Sequence, residues 1–583
     1  MNHESYKFGD FRLDPTQRKL FKREKIIRLS PRAFEILLLL VQKQGAIVEK
    51  NELLDKVWMD SFVEESNLVV HISALRRSLG ERRGERKFIE TVSGRGYSFV
   101  FPVEKFEAEK VSAVSKNEIA ESSENEASKD STSLAILPFI NKSENADLDY
   151  LANGLTQSLI DNLSQIPNLR VMSHSAVENY KNTRTDLQEI GFLLGVEKIL
   201  LGSIAQFKNR LEIRTELINA EDKSHLWGMN YECELTDIFE VRKEISLAIA
   251  DKIQSRFSKT IKTDFAHDQT TNFEAYRLYL KGIYLLDGNA TSKFLRECLH
   301  SALKFFRQAL KKDPEYALAY TGVGLANYRL FNVNFLRQEK AYAECKKAVQ
   351  MALSLDPTLS EALTLNGIIQ FFFERNISDA ERSFDRAIES NPNNPIAYHY
   401  KSVLLCCFER CDEAIFYQTE AIRLDPTSLF LNNGLTTRFY FTREYNKAII
   451  QAEETLELDK ELVAPFFISA LSYAQIGMFG EALKQIKKAI ALQDIEEMFF
   501  AEAYIYAVAG EHEKAKEIAN EILSKQTPVD FTDAATVFAA LRDNDRAFEY
   551  LEKVRESGGG NFLLIRSDPR FSNLYADERF DAL

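Results

Sequence analysis

Apolar residues change their spacing several times along the first hundred positions. Residues 6–29 alternate in the manner of strands, around Phe8, Phe11 and Leu13 and then from Lys19 to Leu29. Ser30-Pro31 is a helix start, with Ser at the N-cap and Pro at the first helical position. Phe34, Leu37, Leu38 and Val41 make the buried stripe of that helix, which stops near Gly45. Leu53, Leu54 and Val57 predict a short second helix ending at Trp58. A third runs from about Glu64 to Leu79 and turns Leu68, Ile72, Leu75 and Leu79 to the core. Its other side carries Ser66, Asn67, Val70, Ser73, Ala74 and Arg77, small and polar groups that allow close approach to a major groove. Lys87 to Val100 alternates around Gly94-Arg95-Gly96, a hairpin with an arginine at its tip. Arg82, Arg83 and Arg86 read as a solvated turn.

Residues 106–133 lose all apolar periodicity and form a polar linker. From 134 to 258 strand and helix patterns mix. Strands are predicted at Leu134–Ile140, Arg170–Met172, Lys198–Phe207 and Arg210–Asn219. Helices follow from Leu151, Leu155, Leu159 and Leu163, from Leu187, Ile190, Leu193 and Leu194 up to Gly195, and from Leu235 to Ile253. This is a small α/β domain with a helix-covered sheet. Beyond about residue 270 only helical patterns remain, and they repeat. Asp313-Pro314, Asp356-Pro357, Asn391-Pro392 and Asp425-Pro426 recur at intervals of 43, 35 and 34 residues. Alanine pairs precede three of them, at Ala302 and Ala309, Ala380 and Ala387, and Ala414 and Ala421. A breaker and small residues at such a period mark a solenoid of helix pairs.

Charge adds one asymmetry. The chain has 583 residues and a net charge of −13, yet residues 1–105 hold 20 basic against 15 acidic side chains. A basic end on an acidic chain suits a polyanion. No apolar run reaches membrane length and no apolar leader follows Met1, so a cytoplasmic protein without membrane contact is expected. The six cysteines and eight histidines show no metal spacing, and no phosphate-binding loop occurs. Neither a metal, a cofactor, a catalytic group nor an enzymatic activity is expected.

Three motifs in the first module occur in order: Leu29-Ser-Pro-Arg-Ala-Phe-Glu-Ile-Leu37, Val70-His-Ile-Ser-Ala-Leu-Arg-Arg77 and Phe88-Ile-Glu-Thr-Val-Ser-Gly-Arg-Gly-Tyr97. Over residues 5–101 the chain resembles the winged-helix effector domain of OmpR/PhoB-type regulators. The resemblance implies that helix 64–79 enters the major groove and the wing the adjacent minor groove. It also implies phosphate contacts from Trp58 and His71. Many members carry their wing arginine two residues before Arg95, where this chain has Ser93. The DNA-facing set is therefore Trp58, Ser66, Asn67, Val70, His71, Ser73, Ala74, Arg76, Arg77 and Arg95. Leu134-Ala-Ile-Leu-Pro-Phe139, Tyr150-Leu-Ala-Asn-Gly-Leu-Thr156, Gly202-Ser203, His225-Leu-Trp227 and Asp237-Ile-Phe-Glu240 resemble the TolB-like domain of CadC-like and cyclase-associated bacterial proteins. The repeats resemble tetratricopeptide (TPR) repeats, with Gly324, Gly367, Ser402 or Ala470 as the small residue of the first helix and Ala414, Ala448 or Ala482 as the alanine of the second.

The expected fold is thus multidomain, α+β followed by all-α. A winged helix-turn-helix occupies 1–105, a linker 106–133, a small α/β sandwich domain 134–262 and an α-solenoid of TPR repeats 263–583. The expected function is a transcriptional regulator that binds double-stranded DNA, possible as a homodimer, with the rest of the chain sensing a signal or partner. No phosphoacceptor domain precedes the winged helix and no membrane span follows the linker, so control by aspartyl phosphorylation or by a periplasmic signal is not expected. A scaffold whose winged helix reads no specific DNA is the alternative. By TPR numbering the concave face holds Phe371, Phe372, Cys406, Cys407, Phe430, Tyr440, Phe441 and Phe467, an apolar and aromatic groove. The expected occupant is an apolar or aromatic segment, from a partner or from the chain's own middle domain. Core packing between tightly curved repeats is the competing role for these side chains.

Overall fold

The computed structural model describes residues 4–23, 25–58, 65–92, 94–107, 132–143, 148–166, 168–181, 185–207, 210–234, 237–253, 270–287, 292–332, 335–524, 531–557 and 563–581. The linker expectation falls mainly on residues outside this set.

The first module opens with a meander of β1 (Glu4–Phe8), β2 (Phe11–Asp14), β3 (Lys19–Lys22) and β4 (Lys25–Ile27). Strand β8 (Glu104–Glu107) pairs with β1, so regular structure reaches two residues into the segment read as linker. Helix α1 (Pro31–Gln42) starts as its sequence dictates: Ser30 Oγ accepts from the Ala33 amide and Pro31 fills the first position. Helix α2 (Lys50–Val57) ends at Trp58, and α3 (Glu65–Leu79) buries Leu68, Ile72, Leu75 and Leu79. Strands β5 (Ile47–Glu49), β6 (Ile89–Val92) and β7 (Gly96–Phe99) form the wing sheet in the order β5-β7-β6. A side chain at Gly96 would place its Cβ 2.0 Å from the Val48 carbonyl oxygen, so only glycine lets β7 lie against β5.

The middle domain is a mixed sheet. Strand β9 (Thr132–Ile136) lies parallel to β11 (Leu169–Val171) and β12 (Lys198–Phe207), and β12 continues through β13 (Arg210–Asn219) to β14 (His225–Glu234) as an antiparallel meander. A short β10 (Ile140–Asn141) runs beside β12. Along β13, Leu211, Ile213, Thr215 and Leu217 are buried while Arg210, Arg214 and Glu216 are exposed, the alternation of a sheet with one solvated face. Helices α4 (Asp149–Ser164) and α7 (Ile238–Ile253) contribute to the core over the other face. Strand β14 and the short α5 (His174–Glu178) carry no sequence expectation, although Trp227, Met229, Tyr231 and Cys233 alternate with polar or small residues and Trp227, Tyr231 and Cys233 pack on the core. Helix α6 (Leu187–Leu194) ends, as expected, on Gly195 in the left-handed conformation at φ 66°.

Helical hairpins run from Phe273–Asp287 to Asn544–Ser557. The repeat alanines Ala302, Ala309, Ala380, Ala387, Ala414, Ala421, Ala448 and Ala482 are all fully buried. Gly324 and Gly367 face Leu365 and Phe384, whose atoms a Cβ would meet at 2.6 and 2.5 Å. Small residues therefore set how closely the helices stack. Asp356, Asn391 and Asp425 each cap the helix before them.

The middle domain sits on the array through the loops between array helices. Asn393 donates from Nδ2 to the carbonyls of Ser164 and Leu169 at 2.9 Å each, and its Oδ1 accepts from the Val171 amide at 3.0 Å. Ser175 donates to Asp425, and the Ser173 amide donates to the Leu424 carbonyl at 3.3 Å. The array's C-terminal segment folds back along it. Leu563 and Leu564 pack on the cluster of Phe371, Cys406 and Cys407, while Phe571 and Leu574 join that of Tyr440, Tyr504 and Phe538.

Candidate nucleic-acid interface

Helix α3 has two sides with different neighbours. The apolar stripe enters the winged-helix core, and the opposite side packs against α6 and the array helix Tyr445–Leu458. Nothing in the periodic pattern of α3 signals this second packing.

At the α6 end, Glu189 is 3% exposed and holds two basic side chains. Arg32 Nη1 lies 2.5 Å from one carboxylate oxygen and His71 Nε2 2.5 Å from the other. The other His71 nitrogen, Nδ1, faces the Asn67 carbonyl at 2.7 Å, so the ring meets oxygens at both nitrogens. Trp58 closes this corner, edge-on to His71 at 5.1 Å and 5% exposed. Arg77 donates from Nη2 to the carbonyls of Phe192 at 2.7 Å and Leu193 at 3.1 Å. These belong to the last turn of α6, where backbone carbonyls lack helical partners and favour a cation.

At the array end, three glutamates of one helix face the module. Arg76 spans the wing and the array: its Nη2 donates to Ile89 O at 3.0 Å and Thr91 Oγ1 at 2.8 Å, and its Nη1 to Glu454 at 2.9 Å. Arg86 pairs with Glu453, and Tyr97 donates to Glu457 at 3.1 Å. Burial pushes the Glu457 carboxyl above its ordinary range. Arg83 reaches Asn432 at 2.8 Å, and Lys460 pairs with Glu65 at 2.6 Å. Arg83 and Arg86 are thus docked, not solvated as the sequence suggested. A loop rich in Arg, Gly and Glu looks solvated when its partners are hundreds of residues away.

The expected DNA-facing residues therefore divide. Trp58, His71, Ala74 and Arg76 are buried, and Val70 is half-buried. Asn67, Ser73, Arg77 and Arg95 keep exposed surface, and Ser66 lies in the first turn of α3. Arg95 stands at a cleft of about 430 Å³ between the wing and the array, lined also by Lys50, Glu457, Lys460 and Lys488. The expected groove residues divide as well. Phe371 and Tyr440 are 1% exposed and belong to the array interior; Phe372, Phe441 and Phe467 are half-buried; Phe430 is 52% exposed. Among the described residues no group of His, Cys, Asp and Glu could hold a metal. No described helix is long and apolar enough to cross a membrane.

Residues 23–99 match the family of the transcriptional regulatory protein C-terminal domain, and residues 129–251 match the second domain of HilA/YgeH-like transcriptional regulators. The TolB-like likeness of this second segment remains a resemblance of sequence. With the fold, these matches show a DNA-binding transcriptional regulator whose winged-helix domain is of the OmpR/PhoB type and is followed by a TPR-like helical array.

The chain is similar end to end to the transcriptional regulator HilA of Salmonella typhimurium, at 23% identity over 98% of each protein. It is also 28% identical to putative adenylate cyclase 3 of Rhizobium meliloti over 194 residues, which are 33% of this chain and 32% of that protein. Among solved structures, YrrB, a TPR protein with an unusual peptide-binding site, aligns with 36% of this chain and 97% of its own at 20% identity and a TM-score of 0.25.

Proposed function

We propose that this regulator reads promoter DNA through α3 and the wing, and that the docked arrangement of its modules is a closed state. Asn67, Ser73 and Arg77, with Ser66, Val70 and Ala74, are the groups that would approach bases. His71, Trp58, Arg76 and Arg95 would position the backbone. One observation carries the reading: His71 and Arg76 of the DNA-facing set are already engaged by Glu189 and Glu454, and the nearby Arg86 by Glu453. These carboxylates stand where phosphates would, and they compete with DNA for the same donors. The modules divide as 1–105, 134–262 and 263–583, with 106–133 linking the first two. The middle domain and array receive a signal or protein partner, and their movement frees α3. A homodimer on DNA fits a two-fold operator.

The affinity of a regulator that is mostly closed is reduced by the fraction that is open. The test is a mobility shift on the DNA upstream of the chain's own gene, with the full chain and the variant E189Q/E453Q/E454Q. At least about tenfold tighter binding is expected from the variant, roughly 1.4 kcal/mol. Equal affinity would remove the closed state. No shift by either protein at low salt would favour the scaffold reading.

A further inference from the structure

Arg438 lies on the array helix Leu429–Phe441 and is 4% exposed. Neither its Nε nor its Nη1 has a hydrogen-bond acceptor, and no carboxylate among the described residues pairs with it. Two other largely covered arginines have carboxylate partners. Arg76 has Glu454, and Arg570 has Asp533 and Asp568. A lysine in such a place could shed its proton, but a guanidinium stays charged and needs an anion.

The surroundings supply none. His399 meets Gln418 Oε1 through Nδ1 at 3.0 Å, and burial together with the nearby guanidinium pulls its imidazole down to about 3, so it is neutral. Cys406 and Cys407 also feel the Arg438 charge, and burial pushes both thiols up, Cys407 to about 12. Ser402, fully buried, has a hydroxyl without a partner and lies on the same helix face as His399 and Cys406. The ring of Phe430, 4.4 Å from that of His399, is 52% exposed. The C-terminal segment covers part of this region with Leu563 and Leu564, which bring apolar surface and no charge.

We propose that Arg438 is the anchor of a carboxylate-binding site in the array, for a carboxylate carried on an apolar or aromatic group. A planar monoanion matches one guanidinium in charge and in its paired N–H geometry. A phosphate dianion would leave a second charge uncompensated in an apolar cluster. The exposed Phe430 ring offers the apolar group a surface. The carboxylate can come from a small free acid or from a partner peptide. The site shares its helix with Asn432, which Arg83 of the first module reaches at 2.8 Å, and its test reads ligand binding in the absence of DNA.

The experiment measures the melting temperature of the full chain at constant ionic strength, with chloride replaced in turn by phenylacetate and by phosphate, with phenylacetamide as a neutral additive, and with the tripeptide Ac-Phe-Glu-Leu-NH2. Phenylacetate should raise the melting temperature of the wild-type chain, and phenylacetamide and phosphate should not. R438M should lose the response, and without ligand it should be at least as stable as the wild type. F430A, at an exposed position, should keep its fold and bind phenylacetate at least about fivefold more weakly. A stronger response to the tripeptide assigns the site to a peptide partner, and a stronger response to phenylacetate assigns it to a small acid. Equal responses of wild type and R438M, or an equal effect of phosphate, overturn the proposal. If R438M does not fold, unchanged phenylacetate affinity in F430A and R438K overturns it instead.

Discussion

His71 and Glu189 are 118 positions apart in the chain, yet Nε2 of one lies 2.5 Å from the carboxylate of the other. The histidine belongs to the DNA-facing helix and the glutamate to the middle domain. The same carboxylate holds Arg32, so a single side chain restrains two elements of the winged helix.

Substitutions at the two ends of that pair should differ. Glu189→Gln weakens the dock and leaves the DNA-facing side intact, so DNA affinity should rise. His71→Ala weakens the dock too but removes a group that would touch the DNA backbone, so its gain should be smaller or absent. Both variants should speed amide exchange in α3. Filter binding beside exchange mass spectrometry separates these effects, and faster exchange in neither variant would sink the model.

In the opened Glu189→Gln chain, Asn67→Ala combined with Arg77→Ala should weaken specific binding by about 1–3 kcal/mol for each base no longer read. Competition with unrelated DNA provides the check. A uniform weakening on all sequences would reassign both residues to the phosphate backbone.

Gly195 offers a route to the dock that leaves every charge in place. Its φ is 66°, and an added Cβ would lie 3.2 Å from the Arg77 guanidinium. Gly195→Ala should cost about 1–2 kcal/mol of local stability and should raise DNA affinity by disturbing the hydrogen bonds of Arg77 to α6. Thermal melting and mobility shift on one preparation would show whether the two changes occur together.

Two aromatics that share the array helix Leu429–Phe441 should behave oppositely. Tyr440 is 1% exposed and Phe430 52%. Tyr440→Ala should lower stability by about 3–5 kcal/mol, as for a large aromatic removed from a core. Phe430→Ala should stay within about 0.5 kcal/mol. A place on the concave face would leave stability nearly unchanged in Tyr440→Ala, and burial reverses that expectation. Denaturant melts decide the matter.

The packing of middle domain on array should weaken as pH rises. Burial, with the Glu361 charge beside it, pushes the Asp161 carboxyl up to about 7, and burial raises Glu361 as well. Both carboxyls bind protons more tightly in the folded chain than in the unfolded one. Stability is then highest below the ordinary carboxylate range, near 4, and falls as pH climbs through about 7. Asp161→Asn should flatten the melting temperature between pH 5 and pH 8. An unchanged slope would mean that other groups set it.

Much of this molecule is local and is legible in the sequence. Ser30-Pro31 starts α1, the stripe Leu68, Ile72, Leu75 and Leu79 fixes which side of α3 is core, and Gly195 ends α6. The alanines and the Asp-Pro breaks define the helix pairs. Such features follow from periodicity and capping, which need only neighbours a few residues away. Tertiary structure alone decided what the other side of α3 touches. A polar helix face has one pattern whether it meets water, a phosphate backbone or another domain. Glu189, Glu453 and Glu454 look like solvated charges on their own helices until folding sets them against Arg32, His71, Arg76 and Arg86. The same holds for Tyr440. Repeat numbering places it on the concave face, but the C-terminal segment around Phe571 and Leu574 packs into the same cluster and helps make that position interior. Packing between modules hundreds of residues apart leaves no periodic trace in either partner, so only the assembled chain could reveal it.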